Sequence, residues 1–465
     1  MFFFILFYVS EALIYTQAML SSFYIKALRP YLKALTDCLH ESAKYTSRTA
    51  AKQHETDQAL QEMIDKDGAG SWPPKASHKD SWPTALRPYH DIFLELAPLL
   101  PVYKVSVDDA INQSRRIEFR TRLQELLRER VDLPAVESVL STVENEDPSL
   151  LQGHAYNGLF ACMGYLRHAF RWGTVPVVKC AQEEKIIDFP SELEIPWAFV
   201  CRRYGIKSQG GSIMSNFCCN IDEEGRLVYQ VNGSMPKKVS SAEHNFVFSF
   251  TETEKRALPI YQHIVQSIIS FEQGQNQECA EHLKSVNVHL RKAMRVYYEQ
   301  VIESKIPRSI FVGYMQGFHG WAAGKVVDGE YTEYDGLSGG HLVLFNLLDC
   351  FLGLNTFIDE EKFANYIPAS QRRFIASVKK HSFRGQVERA GLSELEAQLD
   401  GIVKQLRTFR SAHSKRTSRY LSVESPERMV MTAGASTLES GSKATVNDLV
   451  SIVDAGLRKK MKETI

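Results

Sequence analysis

The sequence predicts an all-α protein, a small helical domain followed by a large helical bundle, and three observations carry that prediction. Long segments repeat apolar residues at alternating steps of three and four, the spacing that lines one face of a helix. Alternating β-branched runs that would mark strands are few. At 465 residues the chain exceeds what one core usually holds, so more than one domain is expected.

Taken in order, the chain opens with Met1-Phe-Phe-Phe-Ile-Leu-Phe-Tyr-Val9, an apolar run that Glu11 interrupts and no basic segment precedes. A bilayer span needs about 20 apolar residues, so no stable membrane association is expected. Residues 12–66 carry helical spacing, as at Leu28, Leu32, Leu35 and Leu39, with Pro30 suited to a helix start, and they read as an added helical hairpin. Gly68, Gly70, Pro73, Pro74 and Pro83 make 67–88 read as a linker. The resulting division is an N-terminal extension and linker over 1–84, a small helical domain over 85–242 and a large domain over 243–465.

In the small domain Phe119, Leu123, Leu126 and Leu127 share one helical face, and Leu159, Met163, Leu166 and Phe170 another. His154 and His168 have no partner at metal-ligand spacing and are expected to pack or face solvent. Residues 228–233 read as a short strand and turn. In the large domain helices are expected over 260–271, 280–305, 309–322, 341–354 and 392–420, then a mobile loop over about 421–445 and a last helix over 446–461.

Lys and Arg total 55 and so do Asp and Glu, a balance that argues against a nucleic-acid partner. The eight cysteines include no CxxC pair, so neither a zinc site nor a disulfide framework is indicated, and a cytoplasmic monomer is expected.

The most informative helix is 392–420. Its stripe runs Leu395, Leu399, Ile402, Leu406, Phe409, and the next position on it is His413; Ser393 and Glu396 have capping-box spacing at its start. An imidazole ending an apolar stripe points into the core and stays neutral, as a haem iron ligand must, although a core histidine bonded to a carbonyl fits the same spacing. Arg410, within a turn of it, can pair with a haem propionate. Gly336-Leu-Ser-Gly-Gly340 precedes another apolar helix. It is either an ordinary Gly-rich turn or a place where backbone approaches a flat ligand and helix-start N–H groups attract an anion. Asp349, on the apolar helix that follows, needs a cation if buried.

Several of these stretches resemble the indoleamine 2,3-dioxygenase family. Leu406-Arg-Thr-Phe-Arg-Ser-Ala-His413, continuing to Tyr420, is similar to its proximal-ligand helix, and Tyr366-Ile-Pro-Ala-Ser-Gln-Arg-Arg-Phe374 to its Tyr-Met-Pro-Pro-x-His-Arg-x-Phe segment. Gly336–Gly340 and Leu348-Asp-Cys-Phe-Leu-Gly353 resemble a glycine-rich loop and the helix after it; Arg171-Trp-Gly173 and Phe189-Pro-Ser-Glu-Leu-Glu-Ile-Pro196 resemble a small-domain signature. The likeness runs from about residue 150 to the C-terminus, and weakly from about 85.

The resemblance implies a dioxygenase with b-type haem (iron) as cofactor. It would insert O2 across the indole C2–C3 bond of tryptophan or a related small indole, giving an N-formylkynurenine-type product. It implies His413 as axial ligand, with Arg410, Ser338, Gly339 and Asp349 around the haem and Asp349 paired to Arg410. On the substrate side the chain departs from the pattern. The family's carboxylate-binding arginine falls on Met315, its flanking aromatic on Pro259 and a pocket serine on His263. Lys255 and Arg256 are the replacement cations nearby.

His263 reads either as a distal imidazole bonding the indole N–H, as a histidine does in the related tryptophan 2,3-dioxygenases, or as a buried polar contact. His413, His263 and Ser338 are thus the catalytic candidates, and Met315, Pro259, His263 and Ser338 the substrate-binding ones. A charge-assisted hydrogen bond contributes roughly 1.5–3 kcal/mol, so tryptophan should bind about tenfold to a hundredfold more weakly without the arginine. The alternative is a haem-binding member without dioxygenase activity, a sensor or carrier. That reading draws on Met315, Pro259 and the missing Gly-Thr-Gly-Gly loop before the last helix. A helical interaction protein of another class is the third reading.

Overall fold

The longest apolar stripes of the sequence become the longest helices of the structure. The computed structural model describes residues 54–421 except 102–105, 107, 176 and 357–359. The apolar start, the helical spacing up to residue 53, the segment 422–445 and the expected helix at 446–461 lie outside the described residues. Residues 1–54 form one unit, of which only His54 is described, and residues 55–465 another. The architecture of the second is all-α, as the sequence predicts.

One core is built around helix α5. In chain order the helices of seven residues or more begin with α1 (Glu55–Lys66), α2 (Arg87–Leu96), α3 (Asp109–Arg130), α4 (Leu133–Asn145), α5 (Gly153–Trp172) and α6 (Ser191–Tyr204). α5 is mostly apolar or small on every side, and all its residues from Ala155 to Trp172 are buried, Asn157, Arg167, His168 and Arg171 included, with α2, α3 and α6 packed around it. Asp108 and Asp132 cap α3 and α4, accepting from the N–H groups of Ala110 (2.9 Å) and Ala135 (3.1 Å). α5 stops at Gly173, whose φ of 63° suits glycine and where a Cβ would lie 2.8 Å from Arg116 Cγ.

The Arg171-Trp172 pair ties this core to a distant segment. Arg171 donates to the carbonyls of Trp321 (3.1 Å) and Ala181 (2.7 Å), and Trp172 Nε1 to that of Phe318 (2.8 Å). His168 packs here, edge-on to Trp321 at 5.0 Å.

The second core holds α1 with α7 (Lys237–Glu272), α8 (Asn276–Gln300), α9 (Val343–Phe351), α10 (Glu360–Tyr366), α11 (Ala369–Lys380), α12 (Arg384–Ala390) and α13 (Ser393–Leu421). α7 and α8 fold back on each other across a three-residue turn, and α13 lies along α8. Leu395, Leu399, Ile402 and Leu406 of α13 are all buried, as their stripe requires. Glu394 and Glu396 stand in its first turn, where the helix dipole favours negative charge.

Several expectations are corrected. The helix expected over 309–322 is one turn, Arg308–Ile310, and a π-helical turn, Phe311–Met315. It cannot continue because Gly317 adopts φ 89° and Gly313 and Gly320 weaken what flanks it. After it comes a two-stranded antiparallel hairpin that was not expected, β1 (Ala323–Val327) and β2 (Glu330–Tyr334), with Ala323 opposite Tyr334. No strand forms over 228–233; an isolated bridge joins Ile221 to Leu227 instead.

The stretch 67–88 is packed rather than loose. Trp82 is buried in the first core, and Trp72 donates Nε1 to buried Glu254 at 2.9 Å. The boundary expected at 242/243 falls inside α7, which runs unbroken through Pro259. Among the described residues no helix is long and apolar enough to cross a membrane.

Candidate functional site

The stripe of α13 delivers His413 to the end of the second core. Phe409, one turn earlier, stacks on its ring (5.9 Å, 12° between planes), and Tyr297 of α8 lies against it at 5.5 Å. Thr417 Oγ1 stands 3.5 Å from Nε2. Burial alone lowers the pKa of His413 to about 4, so the imidazole is neutral near pH 7.

Three residues before it, Arg410 Nη2 donates to Asp349 Oδ1 of α9 at 2.5 Å, with both residues buried. Arg410 Nη1 is buried without a hydrogen-bond partner. Arg416, one turn beyond Ala412, donates Nη1 to the carbonyls of Tyr297 (2.9 Å) and Val301 (2.8 Å) and so caps the end of α8.

Opposite α13 lies the glycine-rich loop. Ser338 Oγ accepts from Gly340 N–H at 3.1 Å, and Ser338 N–H donates to His341 Nδ1 at 3.1 Å. The His341 ring stacks on Tyr366 (4.5 Å, 9°), and burial lowers its pKa to about 3. Tyr366 OH in turn accepts from Asp335 N–H (2.6 Å) and donates to Asp335 O (2.9 Å). A Cβ on Gly336 would come within 2.4 Å of Gly320 Cα and 2.5 Å of His319 O, so the loop lies directly on the chain before β1. A Cβ on Gly339 would press on the Phe250 ring at 3.4 Å.

These pieces face one apolar cavity of about 270 Å³. Its walls include Phe217, Phe246, Phe250, Phe311 and Phe345, with Ser249, Thr253 and Gln316 among the few neutral polar groups. His413, Arg410, Asp349, Ser338 and Gly339 all line it. Its two arginines, Arg410 and Arg416, are its only cations among the described residues apart from the titratable imidazole.

Met315, Pro259 and His263 do not line it. Met315 is buried in an apolar cluster with Val239, Ala242, Ile306 and Ile310, and it is the next residue, Gln316, that reaches the cavity. Because α7 passes straight through Pro259, positions 259 and 263 follow a helix phase set by buried Ile260, Tyr261 and Ile264, and His263 turns toward α8. The α7 residues on the cavity are Phe246, Ser249, Phe250 and Thr253, more than a turn upstream. Their i, i+3, i+4, i+7 spacing was the signal available for them. Lys255 is exposed and Arg256 bonds Glu252 at 2.8 Å; neither reaches the cavity.

A neutral imidazole, a half-satisfied arginine and a glycine-rich loop thus open onto one apolar cavity. The family model for indoleamine 2,3-dioxygenase matches residues 118–461, and the chain belongs to that haem-dependent family. Among curated proteins, none matches the chain.

Proposed function

We propose that the cavity holds a b-type haem through His413 and that the protein inserts O2 across the C2–C3 bond of a small indole. The observation that carries this reading is that His413, Arg410 and the Ser338–Gly340 loop, brought from separate parts of the chain, open onto one cavity. The residues fit the group. The orphaned Nη1 of Arg410 is a buried donor in need of a carboxylate, and Gly339 carries no side chain to fill the space beside Phe250.

The haem would supply the redox chemistry with O2 that no side chain can. His413, neutral, offers a nitrogen lone pair. Asp349 fixes the Arg410 guanidinium so that its second N–H pair can meet a propionate. Ser338 Oγ already accepts from Gly340 N–H, which leaves its own proton to donate to a bound ligand. The phenylalanine walls orient an indole and exclude water.

Neither cavity arginine suits a substrate carboxylate, since Arg410 pairs with Asp349 and Arg416 with helix-end carbonyls. The preferred substrate is therefore an indole without a free carboxylate. The seven cysteines among the described residues form no disulfide, in keeping with a cytoplasmic setting.

Purified protein should show a Soret band that His413→Ala abolishes. With ascorbate as reductant, N-formyl product absorbance should appear faster with tryptamine or indole than with tryptophan. Gln316→Arg should shift the preference toward tryptophan by about tenfold or more, from a charge-assisted bond of roughly 1.5–3 kcal/mol. Wild-type protein without a Soret band would end the haem reading. A Soret band with no product from any indole would leave the second reading, a haem-binding member without dioxygenase activity, which a cavity whose two arginines are both already engaged favours.

A further inference from the structure

Away from the cavity, two histidines of α8 meet one of α7. His282 and His289 are seven residues apart, two helical turns, so they rise on one face of α8, and the His263 ring contacts both. His263 Nδ1 is 3.1 Å from His282 Nδ1, and the His289 ring lies 5.7 Å from that of His263 at 26°. All three residues are half-buried, within reach of a solvent ion.

Burial first, then the two neighbouring imidazoles, lower the pKa of His263 to about 4, so its ring nitrogen carries a lone pair at neutral pH. Behind His282, Glu278 Oε1 stands 3.8 Å from Nε2. A carboxylate there favours the proton on Nε2 of His282 and makes its Nδ1 the acceptor of the hydrogen bond from His263 Nδ1, whose proton a cation would displace, the arrangement that orients metal-binding histidines.

We propose that His263, His282 and His289 form a site for a divalent cation of the zinc class, with Nδ1 of His263 and His282 as the first two ligands. Nitrogens bound tetrahedrally at about 2.0–2.1 Å stand about 3.3–3.4 Å apart, so the pair at 3.1 Å needs to open by only a few tenths of an ångström. His289 supplies the third nitrogen by turning its side chain, and water the fourth ligand. An all-imidazole set suits zinc, copper or nickel and not the oxygen-seeking calcium or magnesium. Occupancy would clamp α7 to α8, the helices that carry Phe246–Thr253 and Ala293–Tyr297 of the cavity wall.

The test is a titration of the full-length chain with Zn2+ alone, by calorimetry and by competition with a chromophoric chelator. One equivalent should bind at micromolar affinity or tighter and raise Tm. His263→Gln and, separately, His282→Gln should each weaken binding at least tenfold with unchanged helical circular dichroism. His381→Gln should not weaken it, because that imidazole lies between the carboxylates of Glu272 (2.6 Å) and Glu55 (3.2 Å) on another face. The site is refuted by no saturable binding, by binding undiminished in both α7–α8 variants, or by loss in His381→Gln instead. None of these readouts depends on haem.

Discussion

Arg410 and Asp349 are the residues whose energetics are easiest to isolate. Removing one partner of a buried ion pair costs about 3–5 kcal/mol because the other charge stays buried, whereas replacing both with apolar groups is often close to neutral. Arg410→Met should therefore lower Tm sharply, and Arg410→Met/Asp349→Leu should recover most of the loss. Haem retention should fall in both, since both lack the orphaned N–H. A double variant as unstable as the single one would place the instability elsewhere.

These residues were legible in the sequence because each sits on an element with a strong local pattern: His413 ends an uninterrupted stripe, and Asp349 lies on an apolar helix. The substrate-side residues were not. Assigning Met315 required knowing that a π turn, with its extra residue, ends on it, so that the next side chain faces the cavity. Assigning Pro259 and His263 required knowing that the proline does not end α7.

At the scale of elements, the loop bearing Ser338 is held by contacts that no local pattern announces. Tyr366 reaches Asp335 across 31 residues of sequence, so the Tyr366–Phe374 motif is recognisable while its job, anchoring that loop and stacking on His341, is not. Tyr366→Phe keeps the stack and loses two hydrogen bonds worth about 1 kcal/mol each, so Tm should drop by a few degrees with the Soret band retained. Gly336→Ala is the harsher change, because its Cβ would meet backbone atoms of Gly320 and His319 that cannot swing aside. It should displace the loop and weaken haem binding at least tenfold, read by haem transfer to apomyoglobin. Wild-type retention in Gly336→Ala would mean the loop does not shape the cofactor's seat.

Across the whole molecule, the two cores bury an unusual set of titratable groups, and together these fix how stability depends on pH. Burial is the largest cause of a lowered pKa at His78, His90, His168, His263, His319, His341 and His413, and values fall to about 4 at His78, His263 and His413 and about 3 at His168 and His341. Each such histidine adds stability that is complete above its unfolded pKa near 6.5 and is lost as pH falls toward the folded value. Burial raises three carboxyls in the opposite sense: Asp67 to about 6, Glu243 to about 7, and Glu254 upward. These bind protons in the folded state and favour folding as pH falls. The lowered imidazoles outnumber the raised carboxyls, so the unfolded chain binds more protons in mild acid and stability should rise with pH through the window from about 4 to 6.5. Tm followed by circular dichroism should fall steadily from pH 7 to pH 5. In Glu243→Gln, which keeps one of the two oxygens that accept from Val231 and Asn232 N–H and removes one opposing carboxyl, overall stability should drop and the fall with acid should be steeper. A flat or rising Tm on acidification would mean that the imidazoles, His413 among them, are not held neutral.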